Sequence, residues 1–185
     1  MKVIKIGTTY TLTQEQQKEC IELAKKRTRV NRFVGITQRV DSALPNEMEL
    51  LGIGGEHAFC SLFDVEPDTS SYLRSSESET DTNDAILPCG LTVDVKSTKY
   101  KMGRLQAALR KSPTGDLYAL MTGTFPTFTF RGFMPQKELI KESRIGDLGH
   151  GQLYLAEQDE LKELDMDLFL KWVLKELENI RETDN

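Results

Sequence analysis

The amino-acid sequence predicts an α/β fold, a small mixed β-sheet flanked by helices, on three observations. Apolar residues recur at helical spacing through the first third of the chain. Short runs rich in β-branched and aromatic residues, bounded by turn-forming residues, fill the middle. An amphipathic pattern returns near the end. The 185 residues suffice for one well-buried core and are too few for two, so a single domain over 1–185 is expected, with its core at about 47–139.

Thr13 and Gln16 have the spacing of a capping box. Ile21, Leu23 and Ala24 follow in a segment rich in Glu, Gln and Lys, which places a helix over 13–30. Beyond Pro45, residues Leu51, Ala58, Phe59, Leu62 and Phe63 recur at helical spacing and define a second helix from Glu47 to Phe63. Gly54 and Gly55 sit inside it. Each weakens a helix by about 1 kcal/mol, so the pair predicts a backbone lying close against a neighbour, most simply a sheet.

From Pro67 to Thr82 the chain is polar, acidic and rich in serine, with little to bury, and reads as a long mobile loop. Ala85–Leu87, the turn Pro88-Cys89-Gly90 and Leu91–Thr98 read as a β-hairpin in which Gly90 takes a left-handed conformation. Leu117–Gly123 and Phe128–Met134 are two further strands, and Leu153–Leu155 is a small one. Gly103–Lys111 stays open between a helix, which its Ala and Leu residues suit, and a short strand, which its position suits. Leu168, Trp172, Val173, Leu177 and Ile180 mark a closing helix over 166–181.

No apolar run approaches the ~20 residues that span a bilayer, and the N-terminus lacks the apolar core of a secretory signal. A cytoplasmic setting and no membrane partner are therefore expected. Cys20, Cys60 and Cys89 are far apart and odd in number, so they read as reduced packing residues rather than a disulfide framework or zinc site. His57 and His150 each lack a partner at ligand spacing and read as packing or surface residues, as does Trp172 for a core or interface.

The net charge of −5 argues against a nucleic-acid partner until its distribution is considered. Acids dominate Asp64–Asp84 and the tail after Glu157. Lys96, Lys99, Lys101, Arg104, Arg110 and Lys111, in contrast, occupy a stretch with no acid between them. A second basic cluster, Lys25, Lys26, Arg27, Arg29, Arg32 and Arg39, has the ordinary reading of a solvated face.

Within the hairpin, Asp94 and Lys96 are two apart and share one face of their strand, while Val93 and Val95 point into a core. A turn symmetric about Cys89 sets Leu87 opposite Leu91, Ile86 opposite Thr92 and Asp84 opposite Asp94. Facing carboxylates repel unless a positive charge lies between them, and a divalent cation would supply it. Glu56 falls at the margin of the apolar stripe of the second helix, beside Phe59 and Phe63, from which it can look toward the sheet. Carboxylate oxygens with water and phosphate are the donors that magnesium prefers.

Gly55-Glu56-x-Ala58, Asn83-Asp84 and, ten residues on, Asp94-Val95-Lys96 resemble the PD-(D/E)XK nuclease superfamily, with its restriction-endonuclease-like fold, and especially the small nucleases of phage genomes. The resemblance covers about Glu47 to Leu139. Asn83 stands where the motif has proline, and Asp94 where glutamate is more frequent.

The resemblance implies a divalent-metal-dependent endonuclease that hydrolyses phosphodiesters, in DNA more than in RNA. Glu56, Asp84 and Asp94 would bind Mg2+, or Mn2+, and Lys96 would support the attack. Lys99, Lys101 and Arg104 would grip the nucleic-acid backbone, with Gln106 beside the attacking water. A homodimer is compatible with the sequence. Two other functions fit the residues less fully: a catalytically silent nucleic-acid-binding or scaffold module of the same fold, and an acidic protein-interaction factor.

Overall fold

A computed structural model describes residues 3–33, 45–67, 83–109, 115–149 and 151–164. The expected closing helix with Trp172, most of the acidic loop, His150, Arg39, Arg110 and Lys111 lie outside the described residues. In chain order the elements are β1 (Thr9–Thr11), α1 (Gln14–Phe33), α2 (Pro45–Phe63), β2 (Ala85–Ile86), β3 (Thr92–Thr98), β4 (Leu105–Ala108), β5 (Leu117–Thr124), β6 (Thr127–Pro135), α3 (Gln136–Leu139), β7 (Ile145–Asp147) and β8 (Gln152–Ala156). The fold is mixed α/β, as the sequence predicts.

A reciprocal capping box starts α1: the Thr13 N–H donates to Gln16 Oε1 (2.9 Å) and the Gln16 N–H to Thr13 Oγ1 (3.3 Å). Five strands form a mixed sheet in the order β1-β6-β5-β3-β2, with β3 and β5 parallel. The segment Gly103–Lys111, open between helix and strand, contains β4, which joins β8 and β7 in a second sheet of three strands. That second sheet is a correction to the expectation of helices alone around one sheet. Residues of α1 and α2 share a core with one face of the large sheet, while β4, β8 and α3 pack with Tyr118, Leu120 and Met134 on its other face. Burial on both faces accounts for the nearly continuous apolar run of β5.

Phe59 and Phe63 of α2 and Phe130 and Phe133 of β6 form one cluster with ring centroids 4.5–6.4 Å apart. Phe130 and Phe133 are three apart, which strict alternation would send to opposite faces. A register shift between Leu120 and Met121 of β5, opposite Phe130 and Gly132, corrects the phase. The cluster thus fixes α2 on the sheet.

The two glycines of α2 behave as the sequence predicts. A Cβ at Gly54 would lie 2.9 Å from Phe125 and 3.0 Å from Phe128, and one at Gly55 would collide with Ser97 of β3. The helix therefore rests its backbone directly on the sheet one residue before Glu56. Gly55→Ala is expected to destabilise the protein by about 1–3 kcal/mol, with partial recovery in Gly55→Ala/Ser97→Gly. Denaturant unfolding measures both, and an unchanged midpoint in the single variant would refute the close contact.

Candidate functional site

At the hairpin the expected register is observed. Ile86 pairs with Thr92, the Leu87 N–H donates to the Leu91 carbonyl (2.9 Å), and Gly90 has a φ of 87°. The ladder ends before Asp84, so the expected direct opposition of Asp84 and Asp94 needs correction. The Asp84 N–H donates to the Val93 carbonyl (3.0 Å), and its carboxylate Oδ2 accepts the N–H of Val95 (2.7 Å). The side chain of Asp84 thereby takes the bond that another β2 carbonyl would have made, and lies at the edge of β3 rather than opposite Asp94.

Three elements meet there. Val93 and Val95 are buried in the core under α2, so alternation sends Asp94 and Lys96 to the other face of β3. Glu56 comes from α2, Asp84 from the edge, and Asp94 from the strand itself. Glu56 and Asp94 are buried, and Lys96, half-buried, forms an ion pair with Asp94. Burial, reinforced by the negative charges of Glu56 and Asp94, pushes the Asp84 carboxyl well above the usual carboxylate range, against the opposing pull of Lys96 and of the Val95 N–H. For Lys96, burial favours the neutral amine, but Asp94, Asp84 and Glu56 together outweigh it and raise its pKa. The four side chains named from the sequence thus form one electrostatic cluster, in which Lys96 supplies positive charge.

Among the described residues, two further buried oxygens have no hydrogen-bond partner: Asn83 Oδ1, on the residue before Asp84, and Ser97 Oγ, which lies against Gly55 of α2 on the face of β3 opposite Asp94 and Lys96. The carboxylates of Glu56, Asp84 and Asp94 are hard oxygen donors of the kind magnesium prefers. Among the described residues, however, no three His, Cys, Asp or Glu side chains are arranged to hold an ion as they stand. The bond to Val95 and the ion pair with Lys96 occupy two of the carboxylates.

Lys99 and Lys101 are exposed in the segment after β3, as grip residues would be. Arg104 is also exposed, but it pairs with Glu157 at 2.6 Å, an interaction invisible in the local pattern because 53 positions separate the two. Gln106 lies in β4 opposite Leu155, in the second sheet. In the N-terminal basic cluster, read from the sequence as a solvated face, Lys25 pairs with the exposed Glu22 (2.8 Å) and Arg27 with the buried Glu49 of α2 (3.0 Å).

The cysteines are free. Burial raises the thiols of Cys20, to about 12, and of Cys60, as expected of packing residues. His57 is buried, with its pKa lowered by burial, and its Nε2 has no hydrogen-bond partner among the described residues. It lines a cavity of about 420 Å3 with Gln16, Glu19, Cys60, Ser61 and Asp64. None of the four clustered residues lines that cavity, and neither the periodicity nor any motif signals it.

A sequence profile matches residues 2–124, from before β1 to the end of β5, and so includes the whole cluster. The chain belongs to DUF5843. DUF5843 is a family of unknown function. No curated protein and no solved structure matches the chain significantly.

Proposed function

We propose that the protein is a divalent-metal-dependent nuclease of the PD-(D/E)XK kind, with a restriction-endonuclease-like core, cutting phosphodiesters in DNA in preference to RNA and acting as an endonuclease. One observation carries the reading: Glu56, Asp84, Asp94 and Lys96, separated in sequence, meet in a single charged cluster at the edge of β3. A structural ion pair needs one acid for one base. Three acids around one lysine, two of them buried and Asp84 half-buried, leave an excess of negative charge that raises the proton affinity of Asp84, and such excess is characteristic of sites built for chemistry.

In hydrolysis, a water oxygen bonds to phosphorus, one P–O ester bond breaks, and the departing oxygen gains a proton. Glu56, Asp84 and Asp94 would hold Mg2+ or Mn2+. When bound, the ion supplies a water of lowered pKa and neutralises charge developing on the phosphate. Lys96 stays protonated at neutral pH, because its acidic neighbours raise its pKa. Asp94 orients it, and its ammonium donates to the oxygens on which charge develops. Lys99 and Lys101 contact phosphates on either side of the cut. Glu157 competes for Arg104, which contributes less.

Incubation with linear, circular, single-stranded and branched DNA, and with RNA, in magnesium or manganese tests the proposal. Cleavage by the wild type that disappears in Asp94→Ala is the expected result; no cleavage of any substrate by the wild type would overturn it. A catalytically silent nucleic-acid module is the second reading, favoured by the absence of an ion-holding arrangement among the described residues. Such a module would bind DNA equally well with and without magnesium and would be indifferent to Asp94→Ala.

Reversal of Lys99 and Lys101 to glutamate is expected to weaken DNA binding and reduce its salt dependence by about one unit of slope for each phosphate that is no longer neutralised. Reversal of Arg104 alone should change the slope by less. Titrations across a salt series measure this, and equal slopes in all variants would place these side chains away from the substrate.

A further inference from the structure

The segment leaving β3 carries a feature that phosphate binding does not explain. Tyr100 is 66% exposed and Met102 is 79% exposed, two large apolar side chains interleaved with Lys99 and Lys101. A single exposed apolar residue is ordinary. What distinguishes this pair is how firmly the backbone beneath them is tied down.

The Gly103 N–H donates to the Tyr100 carbonyl (2.9 Å), closing a turn. Gln158 Nε2 donates to both the Lys101 and the Gly103 carbonyls, at 2.8 Å each, and the Arg104–Glu157 pair anchors the next residue to the same segment. Gly103 is needed for this packing. A Cβ there would lie 2.5 Å from Thr98 Cγ2 and 3.0 Å from the Tyr100 carbonyl. The backbone is held by several hydrogen bonds while Tyr100 and Met102 remain unburied. Above the Tyr100 ring lies the Lys99 ammonium, 5.6 Å from its centroid.

We propose that the Tyr100–Gly103 turn is a stacking platform for an unpaired base, so that the substrate of the β3 site is a nucleic acid with at least one unstacked nucleotide beside the cleaved bond. This rests on the nuclease reading. Paired duplex presents phosphates, which lysines alone can meet. An aromatic ring and a thioether offered to solvent between lysines instead match the π-face of a free base together with its phosphates. The position agrees: Tyr100 is four positions beyond Lys96, at most ~13 Å at ~3.3 Å per extended residue, within reach of one bound strand. An anionic membrane surface is the poorer match, because two apolar side chains give little area to insert.

The test is binding in chelator, where cleavage cannot interfere, to a single-stranded oligonucleotide, a gapped duplex and a blunt duplex. The first two carry 2-aminopurine at an unpaired position. Wild type and Tyr100→Phe are expected to quench the 2-aminopurine and to bind the unpaired substrates within about threefold of each other. Tyr100→Ala should bind them about tenfold more weakly, without quenching, while its blunt-duplex affinity and melting temperature stay unchanged.

The proposal is overturned if Tyr100→Ala binds and quenches like the wild type, if Tyr100→Phe is as weak as Tyr100→Ala, or if the wild type binds no oligonucleotide. It is also overturned if Tyr100 governs binding to phosphatidylglycerol vesicles and not to the oligonucleotides. The two readings fail separately. A wild type that stacks the base yet never cleaves in magnesium refutes the nuclease and leaves the platform; one that cleaves while Tyr100→Ala changes nothing refutes the platform alone.

Discussion

Lys96→Ala is expected to lower DNA cleavage by about 100-fold or more while leaving DNA affinity within a few-fold of wild type. The ion pair with Asp94 holds its ammonium in a cluster with Asp84 and Glu56. That position serves a charge that develops during reaction better than it serves the resting phosphate, which in the proposed mechanism Lys99 and Lys101 would meet outside the cluster. Loss of Lys96 should therefore reduce kcat far more than it raises KM. Single-turnover cleavage with saturating enzyme isolates the effect. Retention of more than about a tenth of wild-type activity would reduce Lys96 to a structural partner of Asp94. The same variant also removes the positive charge that the cluster contains, so its melting temperature in chelator should fall and added magnesium should recover part of the loss.

Asp84→Asn should melt higher than wild type in chelator and be inactive. Burial and the charges of Glu56 and Asp94 raise the folded-state pKa of Asp84, whereas the unfolded chain titrates near the ordinary value of about 3.9. Between those two values the folded protein holds a proton that the unfolded chain has released, so metal-free stability falls as pH rises through this window. Asparagine carries no titrating group and can still accept the Val95 N–H through its amide oxygen. It keeps the structural bond and removes the charge. The variant should equal wild type below the unfolded pKa and exceed it increasingly as pH rises toward neutrality. The gain in melting temperature is ~2–4 °C for each kcal/mol of repulsion removed. Magnesium should stabilise wild type by about 2.7 kcal/mol at a hundredfold excess over its dissociation constant, and Asp84→Asn by less. Thermal melts across pH, in chelator and in magnesium, decide the matter. A variant that melts lower in chelator and gains as much from magnesium would show that Asp84 matters only as the cap of Val95.

What the sequence determined by itself was local. The capping box at Thr13 and Gln16, the register set by Pro88-Cys89-Gly90 and the close approach signalled by Gly54 and Gly55 all act within a few residues or a single element, and each is observed. Glu56, Asp84, Asp94 and Lys96 were legible as candidates because helical and strand periods place them beside apolar residues that must be buried.

Tertiary structure decided what depends on distant partners. β4 has apolar residues consistent with either helix or strand, and only pairing with β8, 45 to 51 residues further along, makes it a strand. Alternation could not foresee the phase correction in β6, because the register shift exists only relative to β5. Nor could a hairpin drawn from its turn show where the ladder stops: Asp84 leaves the strand because its carboxylate takes the Val95 N–H in place of a backbone carbonyl. Arg104 passed for a free cation until the fold brought Glu157 against it. In each case the deciding energy is a hydrogen bond, ion pair or packing interaction whose second partner the local pattern does not contain.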